Sequence, residues 1–273
     1  MMSERNFKGS GKSSNKNQDS SDMAFENEPD KSVSQPKEIR LNKFIANAGV
    51  CSRREADKLI AEGLITVNGE TVTAVGTKVK LSDKVIYQGK ELNAEKLVYV
   101  LLNKPKDCVT TLSDPHAKHT VIDLVKHACT ERIYPVGRLD KMTTGVLLMT
   151  NDGDLAKRLT HPSHEHRKIY HAFLDADITQ DDLNKIAKGF ELEDGFIKAD
   201  KISLVQGNAR EVGIEIHSGK NRIVRRIFKH LGYEVVKLDR VYFSGLTKKD
   251  VPRGKWRFLS PKEITFLKAG IMK

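Results

Sequence analysis

Hydrophobic and polar residues follow one another in short periods that predict small helices and short strands after a long polar beginning. Residues 1–37 consist largely of Ser, Asn, Lys, Gly and Asp, with almost no large apolar side chains. Such a segment cannot bury enough surface to offset the entropy lost on ordering. We therefore predict that residues 1–37 form a disordered polar tail and that folding begins at residue 38.

Residues 38–92 show the pattern of a small separate unit, in which two short helices precede short strands. Ser52 and Glu55 have the spacing of a capping box, which predicts the start of a helix. Gly63 stands where a left-handed C-terminal cap belongs. Asn68-Gly69 predicts a tight type I′ hairpin because both residues tolerate positive φ angles. Further strand pairing is predicted through Val79, Leu81, Val85 and Tyr87.

A larger α/β region follows a short polar linker at residues 93–96. The apolar run from Leu97 to Asn103 predicts a buried strand, and another is predicted from Val146 to Met149. Before the second strand, a polar loop presents Arg138 and Asp140. Rigid strands can hold such a loop while its side chains stay accessible, so a carboxylate there is well placed for chemistry. Taken alone, a loop Asp more often caps a helix or closes a turn.

An amphipathic helix is predicted near residue 223. Its apolar positions at helical spacing are Ile223, Val224, Ile227, Phe228 and Leu231. Gly232 follows as a C-terminal cap. Burial of the apolar face is expected to leave Arg222, Arg226 and Lys229 in an exposed row, with Arg225 between the two faces.

Charge narrows the class of partner. The 273 residues include 47 Lys and Arg against 36 Asp and Glu, a net charge of +11. The tail is neutral overall, whereas residues 219–257 hold 12 basic and three acidic side chains. A polyanion is therefore the expected partner, met by the folded part of the chain.

Several function classes are disfavoured. The longest apolar run, residues 97–102, is far shorter than the roughly 20 residues that span a bilayer, and the first ten residues lack the pattern of a secretory signal. We therefore expect a cytoplasmic protein that does not contact a membrane. The three cysteines have no CxxC spacing, and there is no glycine-rich nucleotide motif or cluster with metal-ligand spacing. Neither a cofactor nor a metal is expected.

The N-terminal unit resembles a known RNA-binding module. The order of its parts, Leu41 to Ile45, then Gly49 to Ala56, then Ile65 to Gly69, is similar to that of the S-four RNA-binding domain. This resemblance favours a phosphate-contacting face over a merely solvated helical surface, the two interpretations that composition leaves open. The basic residues assigned to this face are Arg40, Lys43, Arg53, Arg54 and Lys58.

The larger region resembles the RNA pseudouridine synthases, in the bacterial ribosomal branch that carries an N-terminal S-four domain. The residues that carry the resemblance are Gly137-Arg138-Leu139-Asp140, Thr144 to Leu148, Thr150 to Gly153, Arg167 to Tyr170 and Ile216 to Phe228. The similarity extends from about Ile39 to Phe266. One position departs from the family pattern, because Ile223 stands where Gln is frequent.

The resemblance implies an α+β fold with a mainly antiparallel sheet and flanking helices over residues 97–267. It assigns Asp140 as the catalytic carboxylate, Tyr170 as the residue that stacks on the target base and Arg225 as the partner of Asp140. Tyr170 also fits a half-buried strand aromatic, the commoner fate of tyrosine. Further RNA contacts are expected from Arg138, Lys220, Arg222, Arg226 and Lys229.

The implied function is site-specific isomerisation of uridine to pseudouridine in ribosomal RNA, above all large-subunit RNA, by a monomer without cofactor. Its partner is then ribosomal RNA, either free or in an assembly particle. Asp140 can begin this reaction as a nucleophile or by assisting elimination at the sugar, and the sequence leaves both routes open. The main alternative is a non-catalytic RNA-binding factor of ribosome assembly. A carboxylate-based hydrolase would need a second acid, and no matching motif indicates one.

Overall fold

The computed structural model describes residues 38–112, 114 and 117–270. The predicted tail, residues 1–37, lies outside the described residues. Among the helices in the described ranges, none is long and apolar enough to cross a membrane.

The N-terminal unit packs two helices against two small antiparallel sheets. Its elements are α1 (Leu41–Asn47), α2 (Arg53–Ala61), β1 (Glu38–Arg40), β2 (Ile65–Val67), β3 (Glu70–Val72), β4 (Lys78–Lys80), β5 (Val85–Tyr87) and β6 (Lys90–Glu91). One sheet is β1-β4 and the other has the order β3-β2-β5-β6. Leu41 and Ile45 of α1, Ile60 of α2 and Ile65 of β2 are fully buried in one shared core.

Local signals in this unit are confirmed where the interaction is short-range. The Ser52 hydroxyl accepts from the Glu55 amide, and the Glu55 carboxylate accepts from the Ser52 amide at 2.8 Å, so the capping box is complete. Asn68 and Gly69 have φ angles of 52° and 92°, as a type I′ turn requires. The prediction for Leu81 is wrong, because the chain turns immediately after β4 and leaves this side chain 63% exposed. The sequence pattern also missed β1.

The larger region contains a nine-stranded sheet and a separate hairpin. Its strands are β7 (Tyr99–Lys104), β8 (Tyr134–Pro135), β9 (Thr144–Thr150), β10 (Lys168–Leu174), β11 (Phe190–Leu192), β12 (Gly195–Ile197), β13 (Lys201–Val205), β14 (Asn208–Ile216), β15 (Val235–Phe243), β16 (Leu246–Thr247) and β17 (Trp256–Phe258). Its helices are α3 (Val121–Val125), α4 (Gly153–Thr160), α5 (Gln180–Lys188), α6 (Ile223–His230) and α7 (Pro261–Ala269), with a 3₁₀ turn at Pro162–His164.

The main sheet has the order β13-β14-β10-β15-β9-β7-β17, with β16 beside β15 and β8 beside β9. Every pairing is antiparallel except β9 with β15, which are parallel. The prediction of a mainly antiparallel sheet is therefore confirmed. The predicted strand at residue 97 begins two residues later, at Tyr99, and Leu97 is 45% exposed.

Helices cover both faces of the central strands. Val146 and Leu148 of β9 pack in one core with residues of α4 and α7. Leu147 and Met149 point the other way and pack in a second core with residues of α3. A third core joins β10, β14 and β15 to α5 and α6. The alternation along β9 therefore explains why this strand is apolar throughout and why it holds its loop rigidly.

The parallel pairing of β9 with β15 depends on one glycine. Gly145, at the start of β9, has a φ angle of 107° and pairs with Arg240 of β15. A Cβ at this position would collide with the Arg240 carbonyl group. Arg240 in turn pairs with Tyr170 of β10, next to a register shift in that ladder. The sheet thus brings Tyr170 and Arg240 next to the loop that carries Asp140.

Candidate active site

Asp140 lies on the loop between β8 and β9, as predicted. On its N-terminal side, buried Leu139 is attached through its backbone: the Thr110 hydroxyl donates to the Leu139 carbonyl at 2.7 Å and accepts from the Leu139 amide at 3.3 Å. On the other side, the Thr143 amide donates to the Asp140 carbonyl at 3.0 Å. The Asp140 side chain keeps 32% exposure. A firmly attached loop therefore holds a carboxylate that remains accessible.

Lys104 holds the same loop from inside the protein. This last residue of β7 is completely buried, and its ammonium group donates to four backbone carbonyls, of Pro105, Asp140, Lys141 and Thr143, at 2.9–3.1 Å. Burial lowers the pKa of Lys104 to about 8, and the charge of nearby Asp140 opposes that shift. Three of the four carbonyls belong to the loop residues 140–143. Lys104 is therefore a positioning residue for Asp140.

Arg225 approaches Asp140 from helix α6. Its Nε lies 3.9 Å from Asp140 Oδ2, an ion pair longer than a direct hydrogen bond. Its Nη1 donates to the Val235 carbonyl at 2.6 Å, which fixes the guanidinium group. Burial lowers the pKa of Arg225, the charge of Arg222 lowers it further, and Asp140 raises it. The side chain is only 17% exposed, so the pair is partly shielded from water.

Helix α6 presents Arg225 because its other face is anchored in the core. Ile223, Val224, Ile227 and Phe228 are all buried, which confirms the predicted helical register. Gly232 follows with a φ angle of 88°, also as predicted for a cap.

Tyr170 is half-buried on β10 and lies beside a fully enclosed arginine. Arg240 is 3% exposed; its Nε donates to the Val146 carbonyl at 2.8 Å, and its guanidinium lies 4.6 Å from the centre of the Phe243 ring. Burial lowers the pKa of Arg240, while a hydrogen bond and Coulombic interaction with the Tyr170 hydroxyl act in the opposite direction. The Nη2 atom of Arg240 has no hydrogen-bond partner among the described residues.

A half-buried cation, Lys168, stands at the start of β10. The ammonium group of Lys168 donates to the carbonyls of His166 and His217 at 2.9 and 2.7 Å. Burial lowers the pKa of Lys168 to about 8, and the charge of Arg240 contributes to that shift.

Asp140, Tyr170, Lys168 and Arg240 line a cavity of about 610 Å³. Its volume lies within the range of about 300–1,000 Å³ that is common for sites of drug-sized ligands. Arg225 is not among the lining residues, so it acts on Asp140 from outside the cavity wall. The charged side chains in the wall are two carboxylates, Asp140 and Glu165, and five cations, Arg138, Lys168, Lys220, Arg222 and Arg240. The positive charge of the wall therefore favours an anionic ligand, and the Asp140 carboxylate lies within reach of that ligand.

The predicted basic residues around α6 do not form one exposed row. Arg222 and Lys229 are exposed, but Arg226 is half-buried and bonds both carboxylate oxygens of Asp194 at 2.6 and 2.8 Å. Lys220 donates to the carbonyl of Asp194 at 2.6 Å. The row was predicted from helical spacing alone, which carries no information about Asp194, 32 residues before Arg226. Arg138 is exposed on the rim of the cavity.

The predicted basic face of the N-terminal unit is largely exposed. Arg40, Arg53, Arg54 and Lys58 are exposed, and Arg53 also donates to the Asn42 side chain at 3.3 Å. Lys43 is half-buried and bonds the Asp154 carboxylate at 2.7 Å, so its charge is engaged by the larger region.

Sequence reasoning missed Lys104 and Arg240. A signal existed for Lys104, because it is a lysine that directly follows an apolar strand and precedes Pro105. Arg240 stands on β15, where burial does not alternate regularly, so strand periodicity does not show which face its side chain takes. Nothing local distinguishes it from a solvent-facing arginine.

Two family profiles match the chain. One, described as the S4 (S-four) domain, matches residues 39–85. The other, described as RNA pseudouridylate synthase, matches residues 98–230 and so includes Asp140, Tyr170 and Arg225.

Relatives match most of the chain. It is 40% identical over 234 residues to an "Uncharacterized RNA pseudouridine synthase" of Aquifex aeolicus, covering 84% of this chain and 94% of that protein. It is equally similar, at 40% over 234 residues, to "Ribosomal large subunit pseudouridine synthase B" of Bacillus subtilis, covering 84% and 96%. "Dual-specificity RNA pseudouridine synthase RluF" of Escherichia coli K12 is 36% identical over 230 residues, covering 83% and 77%. A solved structure described as "Crystal structure of pseudouridylate synthase" superposes with a TM-score of 0.60 at 28% identity, covering 84% of this chain and 99% of that one.

Proposed function

The chain belongs to the RNA pseudouridylate synthase family, and from that premise we propose that it isomerises particular uridines of ribosomal RNA to pseudouridine. Support for a ribosomal substrate comes from the Bacillus subtilis relative, whose name assigns it to the large ribosomal subunit, and from the matching S-four domain. We propose large-subunit RNA as the substrate, free or in an assembly particle. We further propose that the protein acts as a cytoplasmic monomer.

The observation that carries the proposal is an accessible carboxylate in a cation-lined cavity. Asp140 faces a space whose wall contains five lysine and arginine side chains. An RNA strand is a polyanion, so these cations favour entry of its phosphates while Asp140 meets the sugar and base. A binding protein needs the cations but has no use for a carboxylate that repels phosphate.

The reaction breaks the bond between C1′ and N1, rotates the uracil and joins C1′ to C5. The C5 hydrogen then leaves as a proton, and N1 gains a proton, so the product is an isomer of the substrate. No atom is gained or lost, and no electrons leave the substrate, so a carboxylate and a shaped cavity suffice. Asp140 begins the reaction either as a nucleophile or by assisting elimination at the sugar. In both routes the freed base must stay in the cavity until C5 faces C1′. Walls that hold the uracil therefore matter as much as the carboxylate.

Arg225 and Lys104 keep the carboxylate in place. Arg225 balances the charge of Asp140 at 3.9 Å without entering the cavity. Lys104 fixes the backbone of the same residue, because its ammonium group donates to the Asp140 carbonyl and to three further carbonyls. Arg225 thus restrains the carboxylate of Asp140, and Lys104 restrains its backbone. Holding a reacting group in the correct geometry raises the reaction rate.

Tyr170 supplies the surface for the target base. Its ring lines the cavity, and stacking of a base on an aromatic ring is worth about 1–3 kcal/mol. A uridine inside a helix cannot reach Asp140, so the nucleotide must leave its stack. We assign exposed Arg138 on the cavity rim to the space or phosphate that the flipped nucleotide leaves behind.

The S-four domain supplies a second contact with RNA. We propose that Arg40, Arg53, Arg54 and Lys58 bind phosphates there. Lys43 joins them only if it exchanges Asp154 for a phosphate. On α6 and beside it, Arg222 and Lys229 are available to RNA, whereas Lys220 and Arg226 must first leave Asp194.

Tritium release tests the proposal directly. Unmodified ribosomal RNA labelled at uracil C5 loses its label when C5 bonds to C1′. Wild type is expected to release tritium, Asp140→Asn to release none, and Asp177→Asn, a control at an exposed carboxylate paired with Arg210, to match wild type. The proposal fails if wild type releases no label from large- or small-subunit ribosomal RNA, or if Asp140→Asn releases as much label as the control. Mapping the modified position in large- and small-subunit RNA then tests the choice of subunit.

A further inference from the structure

The hairpin of β11 and β12 stands apart from the main sheet and contributes to the cavity wall. Its two strands pair Glu191 with Phe196 and Phe190 with Ile197. Alternation along β12 directs Ile197 into the core, at 6% exposure, and leaves Phe196 54% exposed. Because Phe196 is both exposed and a lining residue, its ring lies at the rim of the cavity.

The tip of this hairpin is bound to helix α6 and to Lys220, which precedes that helix. Both carboxylate oxygens of Asp194 accept from Arg226, and the carbonyls of Asp194 and Gly195 accept from the Lys220 ammonium at 2.6 and 3.3 Å. The hydrogen bonds from Arg226 lower the pKa of Asp194 to about 2, so the pair stays ionised at neutral pH. The same helix carries Arg225, which contacts Asp140. The ring of Phe196 is therefore held in a fixed relation to the catalytic loop.

Gly189 makes room for the ring of Phe196. Gly189 ends helix α5 with a φ angle of 90°, and a Cβ there would collide with the tip of the Phe196 ring. The absence of a side chain at Gly189 thus lets the ring lie against the backbone. One side of the ring is supported while the rest remains open, which is the arrangement of a platform rather than of a core residue.

The surroundings of the ring define what it binds. Lys220 and Arg222 line the same wall; Arg222 is exposed and available to a phosphate, whereas Lys220 also holds the carbonyl of Asp194. A flat apolar surface next to cations fits a nucleotide, whose base stacks on the ring while its phosphate meets the charge. We propose that Phe196 is a second stacking platform, which receives the base of a nucleotide adjacent to the target uridine. This inference rests on the proposed function, because it presumes an RNA strand in the cavity.

Covalent connection explains why the occupant is a neighbouring base. Tyr170 and Asp140 take the flipped uridine in the interior of the cavity. The next nucleotide is joined to it through a single phosphate, so it lies at the rim of the cavity, to which Phe196 belongs. Two platforms on consecutive nucleotides would also select for a target whose neighbour is free to unstack.

Replacement of the ring tests the platform. With the RNA substrate in which wild type forms pseudouridine, Phe196→Ala is expected to raise KM about 5- to 150-fold, the equivalent of about 1–3 kcal/mol of stacking, with little change in kcat. Phe196→Trp should stay within about threefold of wild type because it retains a π surface. Phe258→Ala, a phenylalanine that is 50% exposed on β17 outside the cavity lining, is the matched control and should leave KM unchanged.

Salt dependence separates stacking from damage to the hairpin. An uncharged ring neutralises no phosphate, so Phe196→Ala should shift log KM without changing its slope against log salt. If the variant instead loosened the hairpin and released Lys220 and Arg226, the slope would change. A changed slope, or a KM within twofold of wild type, overturns the proposal.

An abasic nucleotide identifies the base. Once the modified uridine is mapped, substrates that lack the base on one or the other side of it are compared. For wild type, one of these substrates should raise KM by about the factor seen with Phe196→Ala, and for Phe196→Ala the same substrate should cause no further rise. Additive effects would contradict a contact between that base and the ring. Failure of the proposed function is recognised separately, because wild type would then form no pseudouridine.

Discussion

Replacement of Lys104 by Met tests whether the loop that carries Asp140 is held from inside the protein. Met fits the space of a buried Lys stem but leaves the carbonyls of residues 105, 140, 141 and 143 without their donor. Hydrogen bonds to a charged group contribute about 1.5–3 kcal/mol each, whereas burial of an ammonium ion costs several kcal/mol. The two effects largely cancel, so we expect a loss of only about 1–3 kcal/mol in the free energy of unfolding.

The effect on activity should be larger than the effect on stability. Three of the four carbonyls lie in residues 140–143, so the loop loses its internal anchor next to the carboxylate. Misplacement of a reacting group by about 1 Å can cost about 100-fold in rate, and we expect kcat to fall about 10- to 100-fold. KM for RNA should change little, because Lys104 is completely buried and does not line the cavity.

Lys106→Met is the matched control, because it removes the same charge from an exposed position two residues away. Tritium release gives kcat and KM, and urea unfolding gives stability. In a Lys104→Ala variant, added methylammonium should restore part of kcat by occupying the vacated site. If Lys104→Met keeps kcat within threefold of the Lys106→Met control, Lys104 does not position Asp140 and the reasoning from its four hydrogen bonds is refuted.

Three further predictions concern charged residues of the active site, of helix α7 and of residues 1–37. Arg225→Met should lower kcat about 100-fold but lower the free energy of unfolding by only about 1 kcal/mol, the value of its one bond to Val235, as measured by tritium release and urea unfolding. Glu263→Gln should lower the free energy of unfolding by about 1–2 kcal/mol at pH 7. The hydrogen bonds from Arg257 hold the pKa of Glu263 at about 2, below its usual 4.5. The stabilisation is therefore present above pH 4.5 and is lost as pH falls through 2. The difference from wild type in urea midpoints should therefore shrink as pH falls from 5 to 2. Deletion of residues 1–37, which carry no net charge, should leave RNA affinity and its salt dependence unchanged in filter binding; a large loss would show that the tail contacts RNA.

The features that could be predicted are those that depend on neighbours in sequence. The Ser52 capping box involves residues three apart, and the register of α6 follows from four apolar side chains within six residues. The loop that carries Asp140 could be located because it lies next to an apolar strand, whereas the catalytic assignment of Asp140 came from the family resemblance and stays a prediction. In each case a local rule of backbone geometry decides the outcome, and tertiary contacts only reinforce it.

The features that could not be predicted arise where strands distant in sequence meet. Arg240 lies beside Gly145 because β9 and β15 pair in parallel over only two residues, and no periodicity announces such a short pairing. Arginine side chains are mostly exposed, so residue type predicts an exposed Arg240, whereas its side chain is buried. Strand β1 was missed for the same reason, because its partner β4 follows about 40 residues later.

Charge shows the same division between local and distant information. The basic block at residues 219–257 was located from sequence, but its members face different partners: Arg226 bonds Asp194, Arg257 bonds Glu263, and Lys248 and Arg253 share Asp239. Such pairs still contribute to the long-range field that attracts RNA, because the block keeps its excess of cations. They release few counterions on binding, however, since a cation already held by a carboxylate neutralises a phosphate only by leaving its partner. The salt dependence of RNA binding should therefore report far fewer contacts than the 12 basic residues of the block.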